Sequence, residues 1–337
     1  MNPEVLTSRL EKLPKVVLNE GPTPIQELRA FSRSLGGPKV YVKRDDLATL
    51  ALGGNKVRKL EYVLGQAQAL DTDTIVTGGA LQSNHCRATA AAAAKLGLKC
   101  VLILKGQPGA VPQGNYLLDR LFGADVHFLE TESMVDVESK INSIAADFRK
   151  KGRRPYAINV VGGPASVYGV IAYVETCLEM FRQLEENKTK ISHIVVCTGS
   201  GSTQAGLLLG AKILKREVQV IGISIRRDAA DLREKVRNGV VEACRLLEVS
   251  IDLQDSDLHV YDQYIGAGYG LVTPDVREAI TRLALTEGLL IDPVYAGKAL
   301  CGLIDLITTG KFGNNDTVMF IHTGGIPALF AYNNELV

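Results

Sequence analysis

The chain has almost no net charge: 38 Lys and Arg stand against 37 Asp and Glu in 337 residues, a formal +1. Without a basic field nothing draws in a phosphate backbone or an anionic lipid surface over long range, so neither nucleic acid nor membrane is expected as a partner. Long hydrophobic runs are missing too. The longest apolar stretches, such as Ala90 to Ala94, are a few residues long, against the roughly 18 needed to cross a bilayer. The amino-terminal region carries Glu4, Arg9, Glu11 and Lys12 where a secretory signal would have an apolar core, so the expected location is the cytoplasm. Paired cysteines are absent. Cys86, Cys100, Cys177, Cys197, Cys244 and Cys301 are scattered without a C-x-x-C, and read as small core hydrophobes rather than a disulfide framework or a zinc site. No repeat, low-complexity tract or long linker occurs, so a domain boundary has to be a compact crossing.

What the chain does have is glycine, 33 residues of it, above the average of about 7%. A length of 337 residues at roughly 100–200 per domain predicts about two domains. Short β-branched runs recur, each followed by a glycine-bearing turn and a longer stretch with helical spacing. The predicted strands are Val40 to Lys43, Thr74 to Thr77, Val101 to Leu104, Val126 to Leu129, Tyr156 to Val160, Ile194 to Cys197, Val218 to Ile223 and Thr317 to Ile321. The predicted helices are Ser83 to Leu96, Met134 to Lys151, Val170 to Leu184, Thr203 to Leu214, Ala229 to Leu247, Pro274 to Thr286 and Gly297 to Thr308. Most of the strands are too apolar to be half exposed, which suits parallel sheets with helices on both faces. Crossings at Gly53-Gly54 and Gly162-Gly163-Pro164 would divide this α/β chain into two lobes, residues 1–58 with 165–337 and residues 59–164, with a cleft between them.

Three glycine turns carry chemistry. Thr198-Gly199-Ser200-Gly201-Ser202-Thr203-Gln204-Ala205-Gly206 follows an apolar strand and opens a helix. Free N–H groups, the positive helix end and hydroxyl donors there suit a phosphate, though an ordinary capped turn has the same outline. The spacing is neither G-x-G-x-x-G nor a Walker loop, which speaks against a nucleotide. Gly53-Gly54-Asn55-Lys56-Val57-Arg58-Lys59 sets a lysine inside a glycine turn. If a helix begins there, Lys59 shares the face of Lys56, and two neighbouring cations lower a lysine's pKa. A plain surface loop is the alternative. Gly78-Gly79-Ala80-Leu81-Gln82-Ser83-Asn84-His85 again presents free N–H groups, with Ser83 as a natural helix cap. His85 has no partner at metal spacing, so no metal is expected.

In this order the stretches Thr23-Pro24, Lys43-Arg44-Asp45-Asp46, Gly53 to Glu61, Gln82-Ser83-Asn84-His85, Gly201 to Gly206, Asp292-Pro293-Val294-Tyr295 and His322-Thr323-Gly324-Gly325 resemble the D-cysteine desulfhydrase and 1-aminocyclopropane-1-carboxylate deaminase family over nearly the whole chain. The resemblance implies fold-type II architecture like that of tryptophan synthase β, with pyridoxal 5'-phosphate in the cleft, and a homodimer. It implies that Lys56 forms the Schiff base with the cofactor. The loop Cys197, Thr198, Gly199, Ser200, Gly201, Ser202 and Thr203, with Lys59, would hold the phosphate. Asn84 would contact the pyridine 3'-oxygen and also the substrate, and Ser83 and His85 would bind the substrate carboxylate. Tyr269 and Tyr295 would complete the catalytic and substrate-binding set, Ser83 belonging to both, with Thr323 a neutral partner for the pyridine nitrogen.

One departure bears on the substrate. Deaminases of the family carry an acidic residue directly after the tyrosine of the Pro-Val-Tyr motif, and here it is Ala296. A weaker electron sink favours β-elimination of a good leaving group over opening an unactivated cyclopropane. The expected activity is therefore a carbon-sulfur lyase acting on a small amino acid and giving pyruvate and ammonium, D-cysteine first. L-cysteate and 1-aminocyclopropane-1-carboxylate are the alternatives, because Gly201-Ser202-Thr203-Gln204 is closer to the deaminase form.

Overall fold

The computed structural model describes residues 1–160 and 165–337, so the expected crossing at Gly162-Gly163-Pro164 lies outside the described residues. Among those described, the strands are β1 (Ile25–Glu27), β2 (Lys39–Lys43), β3 (Thr74–Ala80), β4 (Lys99–Lys105), β5 (Asp125–Leu129), β6 (Pro155–Ala157), β7 (His193–Thr198), β8 (Gln219–Ser224), β9 (His259–Tyr261) and β10 (Thr317–Ile321). The helices are α1 (Pro3–Leu10), α2 (Arg29–Leu35), α3 (Asn55–Ala69), α4 (Asn84–Lys95), α5 (Gly114–Leu121), α6 (Met134–Lys150), α7 (Ala165–Glu186), α8 (Ser202–Ile213), α9 (Ala229–Leu246), α10 (Pro274–Glu287), α11 (Ala296–Thr308) and α12 (Asn333–Leu336).

The strands make two sheets, ordered β1-β2-β10-β7-β8-β9 and β5-β4-β3-β6. Every pairing is parallel except β1 with β2. The apolar runs explain this, since a strand buried on both faces needs helices on both. In the larger sheet Ile194, Val196, Met319 and Ile321 pack with α7, α8 and α9, while Val195, Cys197, Val318 and Phe320 pack with α2, α10 and α11. In the smaller sheet Ile75, Leu102 and Leu104 face α3 and α4, and Val76, Val101 and Ile103 face α6. Truncating a side chain such as Ile103 to Ala would cost about 2–5 kcal/mol.

Gly206, the glycine that spoils the nucleotide spacing, has a packing role. A Cβ there would lie 2.4 Å from Val170 O and from Tyr173 Cβ, so it lets α8 approach α7. Three-residue strands and short helices were not expected from the sequence: β1, β9, α1, α2 and α5 are too brief to show a period. Strand β6 stops at Ala157 rather than Val160, and α7 extends beyond the predicted Val170 to Leu184 at both ends. All six cysteines are free, and Cys86, Cys100, Cys177 and Cys197 are buried in the cores. Among the described residues no helix is long and apolar enough to cross a membrane.

Candidate active site

Parallel sheets gather their working groups at the carboxyl ends of the strands, and β7, β8 and β10 end together here. The chain reaches α3 through four successive residues at positive φ: Ala51 (49°), Leu52 (64°), Gly53 (66°) and Gly54 (108°). For Ala and Leu that conformation costs on the order of 1–3 kcal/mol each. Arg87 of α4, fully buried, offsets the strain by donating to Ala51 O and, at 2.9 Å, to Gly53 O. Gly53 is required, because a Cβ would fall 2.0 Å from Asp46 O. The Gly54 N–H donates to Asp45 O at 2.8 Å and the Asn55 N–H to Thr323 O at 3.0 Å, which ties the loop to the end of β10.

Lys56 is therefore the second residue of α3, the helix on which the sequence reading depended. It is deep in the protein yet keeps accessible surface, the combination of a group that lines a cavity. Burial lowers its pKa, against the Cys197 thiol and with a smaller contribution from Arg226. The repulsion between the two lysines falls on Lys59, which burial and then Lys56 hold well below its ordinary value.

A paired network clamps α3 from the other side. Asp45 accepts from Thr23 Oγ1 (2.8 Å), Arg58 Nε (3.0 Å) and Tyr173 OH (2.6 Å). Arg58 also grips Glu179 with two bonds, 2.9 and 2.8 Å. Lys43 Nζ donates to Glu179, Gln183 and Thr23 O at 2.5, 2.7 and 2.6 Å. Burial opposes the Asp45 charge, but Arg58 and Lys43 outweigh it and hold the carboxyl below its usual range.

The second loop opens its helix without a side-chain cap, as do α2, α3, α5 and α11. Ser83 caps α4 and Asp228 caps α9 with side-chain oxygens, whereas α8 begins at Gly201 (φ 87°) with no side-chain cap. Lys59 Nζ donates to Ser202 Oγ at 2.8 Å, and Ser202 Oγ lies 3.1 Å from Ser200 Oγ. Thr203 Oγ1 accepts from Asn55 Nδ2 at 3.3 Å, while Thr198 Oγ1 is buried without a partner. The loop and Lys59, distant in sequence, are thus brought together. Cys197 Sγ lies 3.1 Å from Thr323 Oγ1, and burial raises its thiol to about 11 despite that contact.

In the third loop Ser83 Oγ accepts the Cys86 N–H at 3.2 Å, the capping role read from the sequence, and its own proton stays available. Asn84 Oδ1 accepts from Asn115 Nδ2 at 2.8 Å, which leaves the Asn84 NH2 as a donor. His85 Nε2 meets Thr77 Oγ1 at 3.0 Å. That hydroxyl gives its one proton to Ile158 O at 2.8 Å, so the imidazole donates from Nε2. Burial, then Lys56 and Lys59, push His85 down to about 3 and keep it neutral.

The tyrosines stand at the opposite wall. Their hydroxyls are 2.5 Å apart and their rings meet edge to face at 5.8 Å. Burial raises both, and either hydroxyl can donate the bond they share. Asp292 builds this wall: its carboxylate accepts the N–H groups of Val294 (3.0 Å), Tyr295 (2.8 Å) and Ala296 (2.9 Å) at the start of α11. Burial lifts Asp292 to about 6, against those three bonds. The roles of Arg87, Asn115, Asp292 and Arg226 were not foreseen in the sequence. An arginine inside the alanine-rich run Cys86 to Ala94 was the one available signal, since a charge on a buried helix needs a reason.

These groups suit pyridoxal phosphate. The open α8 start, the orphaned Thr198 hydroxyl and Lys59 fit a phosphate, and Lys56, with its pKa lowered by burial, fits an aldehyde. The comparisons agree. A family model described as "Pyridoxal-phosphate dependent enzyme" matches residues 16–324. The chain is 41% identical over 337 residues to a provisionally named 1-aminocyclopropane-1-carboxylate deaminase of Pyrococcus abyssi, covering 100% of this chain and 99% of that one. It is 40% identical over 330 residues to the D-cysteine desulfhydrase of Salmonella newport, covering 96% and 98%. The crystal structure of a homologue of 1-aminocyclopropane-1-carboxylate deaminase superposes with TM-score 0.91 at 39% identity, covering 100% and 99%. Threonine deaminase isoform 2 of Solanum lycopersicum shares the fold at 14% identity, TM-score 0.69, covering 100% and 93%. The chain belongs to the pyridoxal-phosphate-dependent enzyme family, with the fold-type II architecture, and is a lyase that uses pyridoxal phosphate.

Proposed function

We propose that the protein removes a sulfur leaving group from the β-carbon of a small amino acid, yielding pyruvate and ammonium, with D-cysteine the first substrate to test. The observation that carries the choice is Ala296. It is fully buried among the apolar side chains of α10 and α11, so no carboxylate follows Tyr295. Bound pyridoxal phosphate supplies the electron sink that acidifies the α-proton.

The chain's own residues do the rest. Lys59 and the open N-terminus of α8 hold the phosphate, with Cys197, Thr198, Gly199, Ser200, Gly201, Ser202 and Thr203 forming its cradle. Lys56 attaches the cofactor covalently and then exchanges a proton at Cα, a task that its lowered pKa eases. Asn84 donates its NH2 toward the pyridine oxygen, and Thr323 is a neutral partner for the ring nitrogen. The hydroxyl of Ser83 and the backbone N–H of His85 at the start of α4 take the substrate carboxylate. Tyr269, hydrogen-bonded to Tyr295, holds a proton for the departing sulfur. The enamine released into water tautomerises and hydrolyses to pyruvate. The lobes 1–58 with 165–337 and 59–164 close this cleft, and the enzyme assembles as a homodimer, which sedimentation tests directly.

D-Cysteine, L-cysteine, L-cysteate, D-serine, β-chloro-D-alanine and 1-aminocyclopropane-1-carboxylate are to be compared side by side. Pyruvate with sulfide or sulfite is expected, and little 2-oxobutanoate from the cyclopropane. A comparable rate of 2-oxobutanoate formation would overturn the reading.

A further inference from the structure

His322 is a fully buried imidazole to which the proposed chemistry gives no task. It follows directly on β10 and its backbone is pinned on both sides, its N–H donating to Lys43 O at 3.0 Å and its O accepting the Asp46 N–H at 3.1 Å. The ring joins two further backbone groups. Nε2 stands 2.8 Å from Leu290 O, and a carbonyl only accepts, so Nε2 carries the proton. Nδ1 receives the Gly324 N–H at 3.2 Å, and an N–H only donates, so Nδ1 is bare. One neutral tautomer satisfies both bonds. Burial, with Arg44 adding to it, lowers the pKa of the ring against the pull of Asp46 and Asp45. The Asp46 carboxylate lies 3.8 Å from Nε2 and accepts from Arg44 at 2.7 Å. The turn held in this way meets several parts of the site. Thr323 O accepts the N–H of Asn55, next to Lys56, and Thr323 Oγ1 lies 3.1 Å from Cys197 Sγ at the head of the phosphate loop. Gly325 (φ 97°) passes between the tyrosine wall and the carboxylate loop: a Cβ there would lie 2.7 Å from Asp292 Cγ and 2.9 Å from Asn84 Nδ2. Leu290, on the far side of the imidazole, stands two residues before Asp292, whose carboxylate accepts the N–H groups of Tyr295 and Ala296.

We infer that His322 is a positioning residue: its imidazole, with the proton on Nε2, ties the turn carrying Thr323 to the segment that leads to Asp292 and Tyr295, and so fixes the distance between the ring-nitrogen side of the cofactor and the tyrosine wall. This role depends on Thr323 standing beside the ring nitrogen, as proposed above, and holds for whichever substrate is taken.

The test uses the enzyme loaded with pyridoxal phosphate and the best substrate of the comparison above. His322→Asn keeps an acceptor for the Gly324 N–H and gives up Leu290, whereas His322→Gln keeps a donor for Leu290 O and gives up Gly324. Each, saturated with cofactor, should change the visible circular dichroism of the bound cofactor and lower kcat by about tenfold with less than about threefold change in KM, and His322→Ala should lower kcat further. A histidine that only supports the fold would lower the melting temperature and leave the spectrum and kcat as in the parent, a result that overturns the role. Neutron diffraction from crystals of the loaded parent should find the ring proton on Nε2 alone, and a proton on Nδ1 overturns the role without any variant having to fold. The spectra need no substrate. A parent that releases pyruvate from none of the compounds overturns the proposed function, and the spectra of the variants still decide the role of His322.

Discussion

Two buried polar regions flank the helix that carries Lys56, and they are built on opposite rules. On one side Asp45, Arg58, Glu179, Lys43, Tyr173 and Thr23 satisfy one another, each charge facing a countercharge at hydrogen-bond distance. On the other, Lys56 and Lys59 lie buried beside each other, Thr198 Oγ1 has no partner, and Arg226 is unpaired among the described residues. Unpartnered buried polar groups are costly. A fold that pairs its charges so thoroughly in one place and not in the other has assigned the first to holding the helix and the second to holding something else. The comparison teaches that α3 is a fixed platform under an unsatisfied site.

The largest effect expected comes from the unsatisfied side. Lys56→Ala should remove the visible absorbance of bound cofactor and reduce turnover by more than about a thousandfold, while the cofactor-free variant and parent melt at nearly the same temperature. Turnover retained in that variant would break the comparison at its centre. The paired side should respond the other way. Arg58→Ala strands Asp45 and Glu179 in the interior and should cost about 3–5 kcal/mol in denaturant unfolding. A loss below about 1 kcal/mol would mean the network is not the platform.

Arg87 joins the two regions, since it holds the strained residues 51–53 from α4. Arg87→Met should lower kcat by about tenfold or more with a smaller change in KM, because the lysine is misplaced while the carboxylate loop remains. A change confined to KM would argue against that positioning role. Lys59→Ala should weaken cofactor affinity by about tenfold, as loss of one charge-assisted contact would, and leave covalent attachment feasible. Equal affinity in variant and parent would remove Lys59 from the phosphate site.

The smallest effect concerns Asp119, whose two carboxyl oxygens are buried without partners. Burial raises it to about 8, against the field of Arg87. The folded chain thus keeps a proton that the unfolded chain releases near 4, and stability falls as pH rises between those values. Asp119→Asn cannot ionise, so its melting temperature at pH 8 should exceed the parent's by a few degrees and the two should converge at about pH 4. Parallel curves would show that Asp119 does not titrate in this range.

Much of this was legible in the sequence because parallel strands buried on both faces write themselves as apolar runs. The predicted helix Ser83 to Leu96 and strands β3, β4 and β7 stand within a few residues of their observed bounds. The glycine turns announced where backbone would be exposed, and the resemblance named the residues around them. Arg87 escaped because its partners are carbonyl oxygens, which carry no residue identity. Asn115 escaped because its contact to Asn84 spans 31 positions and two helices. The unpaired state of Arg226 depends on Arg227 being claimed by Asp231, which only the turn at Ser224 decides.

The central claim is that Lys56, the second residue of α3, is the one that takes the cofactor. Borohydride reduction of the pyridoxal-phosphate-loaded protein, followed by proteolysis and mass spectrometry, tests it directly. The account predicts a stable adduct on the peptide containing Lys56, located at Lys56 by fragmentation. An adduct on Lys59, or on a lysine elsewhere with Lys56 unmodified, would contradict it.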